Sequence, residues 1–201
     1  MLVSAAGIPA SNGLQLGILV LMIRNVAVFC ASADGADPCY RMMALELGTA
    51  LAMRGVGLVY GGSKVGLMQA VAEAALANGG SVTGVIPEVL VDLEVAHHGI
   101  TKLHVVDTMH TRKALMGQLV DAFVVLPGSF GTLEEVFEVL AWQTLKLHTK
   151  PVLLLNTNGF YDKLLAFLDY AVEQGMLKQK NREIVLVAES VDEALRLLGI
   201  A

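Results

Sequence analysis

The chain has 201 residues, 55% of them hydrophobic and 16% charged, with a formal net charge of -5, which is enough for one well-buried domain and too little for two large ones. An acidic chain without a Lys/Arg-rich stretch lacks the positive field that supplies most affinity for DNA or RNA, so no nucleic acid partner is expected. Mean hydropathy is high, +0.61, but it is spread over short apolar runs rather than one span of about 20 residues, which points to a covered sheet and to no membrane partner.

Residues 1–24 differ from the rest: small and polar side chains, then an apolar stretch over 14–23, with the first charge, Arg24, at its far end. A secretory signal places positive charge before its apolar core, so the order here is inverted. The reading is an unstructured extension or an upstream start with Met22 as the natural beginning. Residues 25–201 form the expected nucleotide-binding catalytic domain.

From Asn25 onward, short β-branched apolar runs alternate with helical patterns, the signature of βαβ units. The fold class is therefore α/β: a single Rossmann-like, doubly wound, mainly parallel sheet with helices on both faces. Residues 25–30 form the first strand. Asp37 caps a helix with Pro38 in its first turn and Tyr40, Met43, Leu47 and Leu51 on one face, ended by Gly55. Strand 57–60, helix 66–78 stopped by Gly79 and Gly80, and strand 81–86 stopped by Pro87 follow. Then comes a loop over 88–101, long for such a unit, and long loops in compact domains often serve function. Strand 102–106, helix 109–119, strand 122–126, helix 132–145, strand 152–155, helix 160–173, strand 184–188 and helix 191–198 complete the chain, with Ser190 and Glu193 forming a capping box for the last helix.

Two glycine-rich loops stand where a strand ends and a helix begins: Gly61-Gly62-Ser63, and Gly128-Ser129-Phe130-Gly131-Thr132. Those are carboxyl ends of strands, where ligands bind in an open parallel sheet. A helix start offers unpaired N–H groups and partial positive charge, and glycine lets an anion come close. Either loop alone could be no more than a tight turn; two in one sheet indicate a nucleotide. Arg112 and Lys113 open a helix, where cations oppose the macrodipole unless an anion is near. Glu134 and Glu135 open the helix after the second loop. Thr132 and Glu135 have capping-box spacing, so Glu135 either caps its own helix or acts chemically. Cleavage of a ribosyl C–N bond passes through an oxocarbenium-like state that a carboxylate can stabilise while it takes a proton from water.

Other features carry less. His97 and His98 have no third partner spaced for a metal, so no metal site is expected. Cys30, at a strand end, reads as a small buried residue. Lys64 lacks the Ser or Thr that follows a Walker lysine. Cys30 and Cys39 show no disulfide framework, which fits a reducing, cytoplasmic location.

The segment Pro127-Gly128-Ser129-Phe130-Gly131-Thr132-Leu133-Glu134-Glu135 resembles the PGGxGTxxE signature of the LOG family, the cytokinin-activating phosphoribohydrolases, often mislabelled lysine decarboxylases. Tyr60-Gly61-Gly62-Ser63-Lys64-Val65-Gly66-Leu67-Met68 resembles its second glycine motif. Gly84-Val85-Ile86-Pro87, Ala96-His97-His98-Gly99 and Met109-His110-Thr111-Arg112-Lys113-Ala114 lie between the two in the family's order.

The resemblance implies hydrolysis of the N-glycosidic bond of adenine-type, N6-substituted nucleoside 5'-monophosphates to free base and ribose 5-phosphate, without cofactor, by a homodimer. It places catalysis on Arg112 and Glu135. Substrate binding falls on Gly61, Gly62, Glu94, Met109, Lys113, Gly128, Ser129, Phe130, Gly131, Thr132 and Glu134. In this reading the N–H groups of Ser129 to Thr132 hold the 5'-phosphate, and Arg112 orients the ribose phosphate and keeps Glu135 ionised. Ser129 and Ser63 stand where the family has glycine; a left-handed backbone at either would cost about 1 kcal/mol. Ala141 replaces a threonine that many plant members carry. The alternatives are a non-catalytic nucleotide-binding sensor or carrier, and a lysine decarboxylase, which would need pyridoxal phosphate on a lysine.

Overall fold

The computed structural model describes residues 22–91 and 96–200. The expected extension over 1–24 therefore lies almost wholly outside the described residues, as does Glu94.

Seven strands form one sheet, all parallel, in the order β4-β3-β2-β1-β5-β6-β7. They are β1 (Asn25–Phe29), β2 (Gly57–Tyr60), β3 (Val82–Pro87), β4 (Lys102–Val106), β5 (Ala122–Val125), β6 (Val152–Leu155) and β7 (Val185–Ala188). Helices α1 (Pro38–Met53), α2 (Gly66–Ala77), α3 (Glu88–Val91), α4 (Met109–Leu119), α5 (Phe130–Thr144), α6 (Asp162–Glu173), α7 (Gln179–Arg182) and α8 (Val191–Leu197) connect them.

Alternation along β1 assigns the two faces. Val26 and Val28 pack with α1, α2 and α8 through Leu47, Leu51, Val71 and Leu195. Ala27 and Phe29 pack with α4 and α5 through Met116, Val136 and Val139. Phe29 stacks on Phe123 at 5.7 Å between centroids. Because both faces are covered, β1, β2, β5 and β6 are apolar at successive positions, and β5 and β6 are buried throughout.

The strand order departs outward from the β1–β5 pair, so the loops after these strands diverge and leave a crevice at the carboxyl edge. The crevice is pinned from several sides. Ala31 N–H donates to the Pro127 carbonyl at 3.1 Å, and Leu126 N–H to that of Phe29 at 2.9 Å. Tyr161 O–H donates to the Leu126 carbonyl at 2.7 Å. Gly66, at φ +56, lets α2 start against the backbone of Ser32 and Ala33, where a Cβ would collide.

The structure corrects some local expectations. Helix α5 starts at Phe130, two residues before the predicted Thr132, so its N-cap is Ser129. The stretch 88–101 is not all loop: it opens with α3, and Ala96 forms a bridge with Ser63. Helix α7 carried no apolar periodicity to announce it, since Gln179–Arg182 is wholly polar. Asp37 does cap α1, accepting from Cys39 N–H at 2.9 Å, and Ser190 caps α8, accepting from Glu193 N–H at 3.3 Å. Among the described residues no helix is long and apolar enough to cross a membrane.

Candidate active site

A cleft opens at the carboxyl edge of the sheet between β1, β2 and the start of α5. Val28, Cys30 and Ser32 reach it from one face of the first strand and its extension, as period-two alternation requires. Gly61, Met68, Leu90 and Met109 line it from the second glycine motif, α3 and α4; Ser129, Gly131 and Thr132 line it from the start of α5, with Arg112 and Glu135 inside.

Arg112 is 6% exposed and Glu135 8%, and Arg112 Nη2 lies 3.6 Å from Glu135 Oε1. Arg112 is fixed by the edge of the sheet: Nε donates to the Val85 carbonyl at 3.1 Å and Nη2 to that of Gly61 at 3.4 Å. Two strand ends thus aim the guanidinium at one carboxylate. A capping box on Thr132 would require it at the N-cap; that position belongs to Ser129. Glu135, in the second turn of α5, instead presents its carboxylate to the cleft.

Helix α5 begins its i→i-4 ladder with Leu133 N–H donating to the Ser129 carbonyl at 2.9 Å. The N–H groups of Phe130, Gly131 and Thr132 precede it and stand at the positive end of the helix. Gly128 cannot carry a Cβ there because the Thr132 side chain occupies that space. Ser129 has φ -105 and ψ -153, an extended conformation, and Ser63 is not among the residues with positive φ. The left-handed strain that serine would suffer does not arise at either position. In the second motif it is Gly62 (φ +80) and Gly66 (φ +56) that take the left-handed backbone.

Five of the described residues expected to contact substrate do not line this cleft. Gly62 packs against Ile86 and Leu103. Phe130 points to solvent, 90% exposed. Lys113 and Glu134 form an ion pair with each other, and Lys113 Nζ also lies 3.0 Å from Glu138 Oε1. The cations that oppose the α4 dipole are therefore answered by carboxylates of α5. Gly128 borders a neighbouring apolar groove with Tyr40 and Phe160.

Cys30 is buried in the cleft wall, and its thiol is pushed well above the usual range, first by burial and then by the Glu135 charge, with Arg112 opposing. Such burial disfavours the thiolate, the form a cysteine nucleophile needs. Cys30 was seen in the sequence at a strand end, yet its place in the cleft was not; only the alternation shared with Val28 and Ser32 signalled it. Met68 and Leu90 carried no signal separable from core packing. Among the described residues no group of three or more His, Cys, Asp or Glu side chains is arranged to hold a metal ion.

Residues 68–198 match a family model described as possible lysine decarboxylase. A protein of Rhodococcoides fascians named cytokinin riboside 5'-monophosphate phosphoribohydrolase is 47% identical over 173 residues, covering 86% of this chain and 87% of its own. This chain belongs to the LOG family. A second LOG protein, from Arabidopsis thaliana and of the same name, is 45% identical over 175 residues, 87% of this chain and 82% of its own. Among solved structures, a molybdenum cofactor binding protein from Rippkaea orientalis superimposes with a TM-score of 0.65 at 22% identity, covering 89% of this chain and 97% of the other. That likeness shows the Rossmann-like fold alone.

Proposed function

We propose that this LOG protein is a hydrolase that cleaves the N-glycosidic bond of adenine-type, N6-substituted nucleoside 5'-monophosphates, releasing the base and ribose 5-phosphate. The observation that carries the reading is the buried Arg112–Glu135 pair, 3.6 Å apart, beside the open N-terminus of α5. The relatives named above are phosphoribohydrolases of cytokinin riboside 5'-monophosphates.

The 5'-phosphate lies against the free N–H groups of Phe130 to Thr132, where the helix end favours an anion. The ribose then lies between Glu135 and Arg112, with the base toward the apolar wall of Met68, Leu90 and Met109. As the C1'–N bond breaks, the base leaves with the bonding pair, and the proton that Glu135 takes from water passes to the base nitrogen, which regenerates the carboxylate. Positive charge grows on the ring, and Glu135 stabilises it through space while taking a proton from the water whose oxygen bonds to C1'. Arg112, held by two backbone carbonyls, orients the sugar phosphate without needing to reorganise.

Glu94, in the family's long loop, supplies a further substrate contact in this reading. Lys113 and Glu134 serve the site by positioning. A decarboxylase is not favoured: it would need a lysine to carry pyridoxal phosphate, and no lysine is among the described residues that line the cleft. A sensor or carrier without turnover would have no use for a buried carboxylate facing the sugar.

Two further assignments accompany the reading. The protein works as a homodimer through the outer surface of α4 and α5, where Gly117, Trp142, Leu147 and His148 line an apolar groove. It resides in the cytoplasm, consistent with two free cysteines.

Incubation with isopentenyladenosine 5'-monophosphate and with AMP, followed by chromatography for free base, tests the activity. Wild type is expected to release base, and Glu135→Gln and Arg112→Ala to release at least a hundredfold less. Equal release by all three proteins would remove the mechanism.

A further inference from the structure

Glu138 belongs to no motif, yet it is the most unusual carboxylate among the described residues of α5. Its Oε1 lies 3.0 Å from Lys113 Nζ, while its Oε2 is buried without a hydrogen-bond partner. A buried oxygen left unsatisfied costs stability, so its retention calls for a reason. Lys113 supplies one. Its side chain is 6% exposed, and an ammonium so buried is tolerable only when paired. Burial alone would lower its pKa; the hydrogen bonds to Glu134 and Glu138 outweigh burial and hold it above the usual lysine value.

The pairs are in register across two helices. Arg112 and Lys113 are consecutive on α4; Glu135 faces the first, and Glu134 and Glu138 face the second. Glu134 and Glu138 are four residues apart and share a face of α5, with Glu135 beside them. Lys113 thus locks the rotation of α5 about its axis, and that rotation sets where the Glu135 carboxylate stands.

We propose that Glu138 is a positioning residue: by holding Lys113 it keeps Glu135 opposite Arg112. The proposal rests on the hydrolase reading for its kinetic consequence. Misplacement of a reacting group by about 1 Å costs on the order of a hundredfold in rate. The phosphate cradle lies on the same helix, but rotation about the axis displaces its backbone N–H groups, which stand close to that axis, less than the Glu135 carboxylate at the end of a long side chain.

The test compares Lys113→Ala, Glu138→Ala, their double variant and Glu138→Gln by steady-state kinetics with AMP, with hydrogen exchange of the first turns of α5 read against α8. Both alanine variants should lower kcat at least tenfold with KM changed less than threefold, and the double variant should be no worse than the poorer single. Glu138→Gln keeps an acceptor for Lys113 and should stay within threefold of wild type. Exchange should quicken in α5 and not in α8. A tenfold rise in KM for Lys113→Ala alone, with Glu138→Ala unchanged, would make Lys113 a substrate contact and overturn the proposal. If wild type has no turnover, the hydrolase reading fails by itself, and the exchange arm still decides the lock: no difference between α5 and α8 refutes it.

Discussion

Gly61 lacks a side chain because Arg112 occupies the space one would fill: a Cβ on Gly61 would fall on Arg112 Nη2. The second glycine motif therefore serves Arg112 as well as the turn. Gly61→Ala is expected to push the guanidinium off the Gly61 and Val85 carbonyls and away from Glu135. Base release should fall at least tenfold, and a variant within twofold of wild type would show that the close approach has no functional weight.

Arg112 also carries structural weight. Replacing it by alanine leaves the Glu135 charge buried and two strand-end carbonyls without their donor. Breaking a buried pair from one side costs about 3 kcal/mol, which denaturant unfolding should register as a lower midpoint at unchanged slope. Glu135→Gln removes the charge but keeps the volume. It should lose activity with a smaller loss of stability, and the two measurements together separate chemistry from folding.

Cys30 stands in the cleft wall with its thiol held neutral by burial and by Glu135. Cys30→Ser should keep kcat within about fivefold of wild type, because no step needs a thiolate, and iodoacetamide at pH 8 should modify Cys30 slowly. A loss of a hundredfold or more in the serine variant would assign the thiol a chemical role.

His97 fastens the stretch 96–99 to the second glycine motif. Its N–H donates to the Gly62 carbonyl at 2.9 Å, and its Nδ1 accepts from Gly99 N–H at 3.2 Å. Its pKa lies below the ordinary 6.5, first because burial disfavours the imidazolium and then because of the Lys64 charge. A depressed pKa gives stability that is present above the unfolded value and lost as pH falls through the folded one. Protonation also removes the Nδ1 acceptor. The melting temperature of wild type should therefore drop below pH 6.5 more than that of His97→Gln, measured by calorimetry from pH 7.5 to 5. Parallel curves would contradict this.

Much of this protein was legible from local pattern. Apolar runs at period two and 3.6, Asp37 and Ser190 as caps, and glycines at helix ends mark nearly every strand and long helix, because each signal acts within a few residues of itself. The start of α5 was misread by two residues because Thr132 and Glu135 mimic a capping box, while Ser129 makes no side-chain cap bond to advertise its place. Helix α7, polar throughout, left no trace of period.

The βαβ alternation and the two glycine loops at strand ends were readable from the residues alone, and the family resemblance singled out Arg112 and Glu135 as the candidate pair. That these two face each other, that Lys113 turns from the cleft toward Glu134 and Glu138, and that Gly61 makes room for a guanidinium came from the packed fold. The reason is that side-chain identity and periodicity encode which surface an element buries. Which charged groups meet across helices that are 20 or so residues apart in the chain is set by strand order and by the rotation of each helix on the sheet, and those emerge only when all the buried faces are satisfied together.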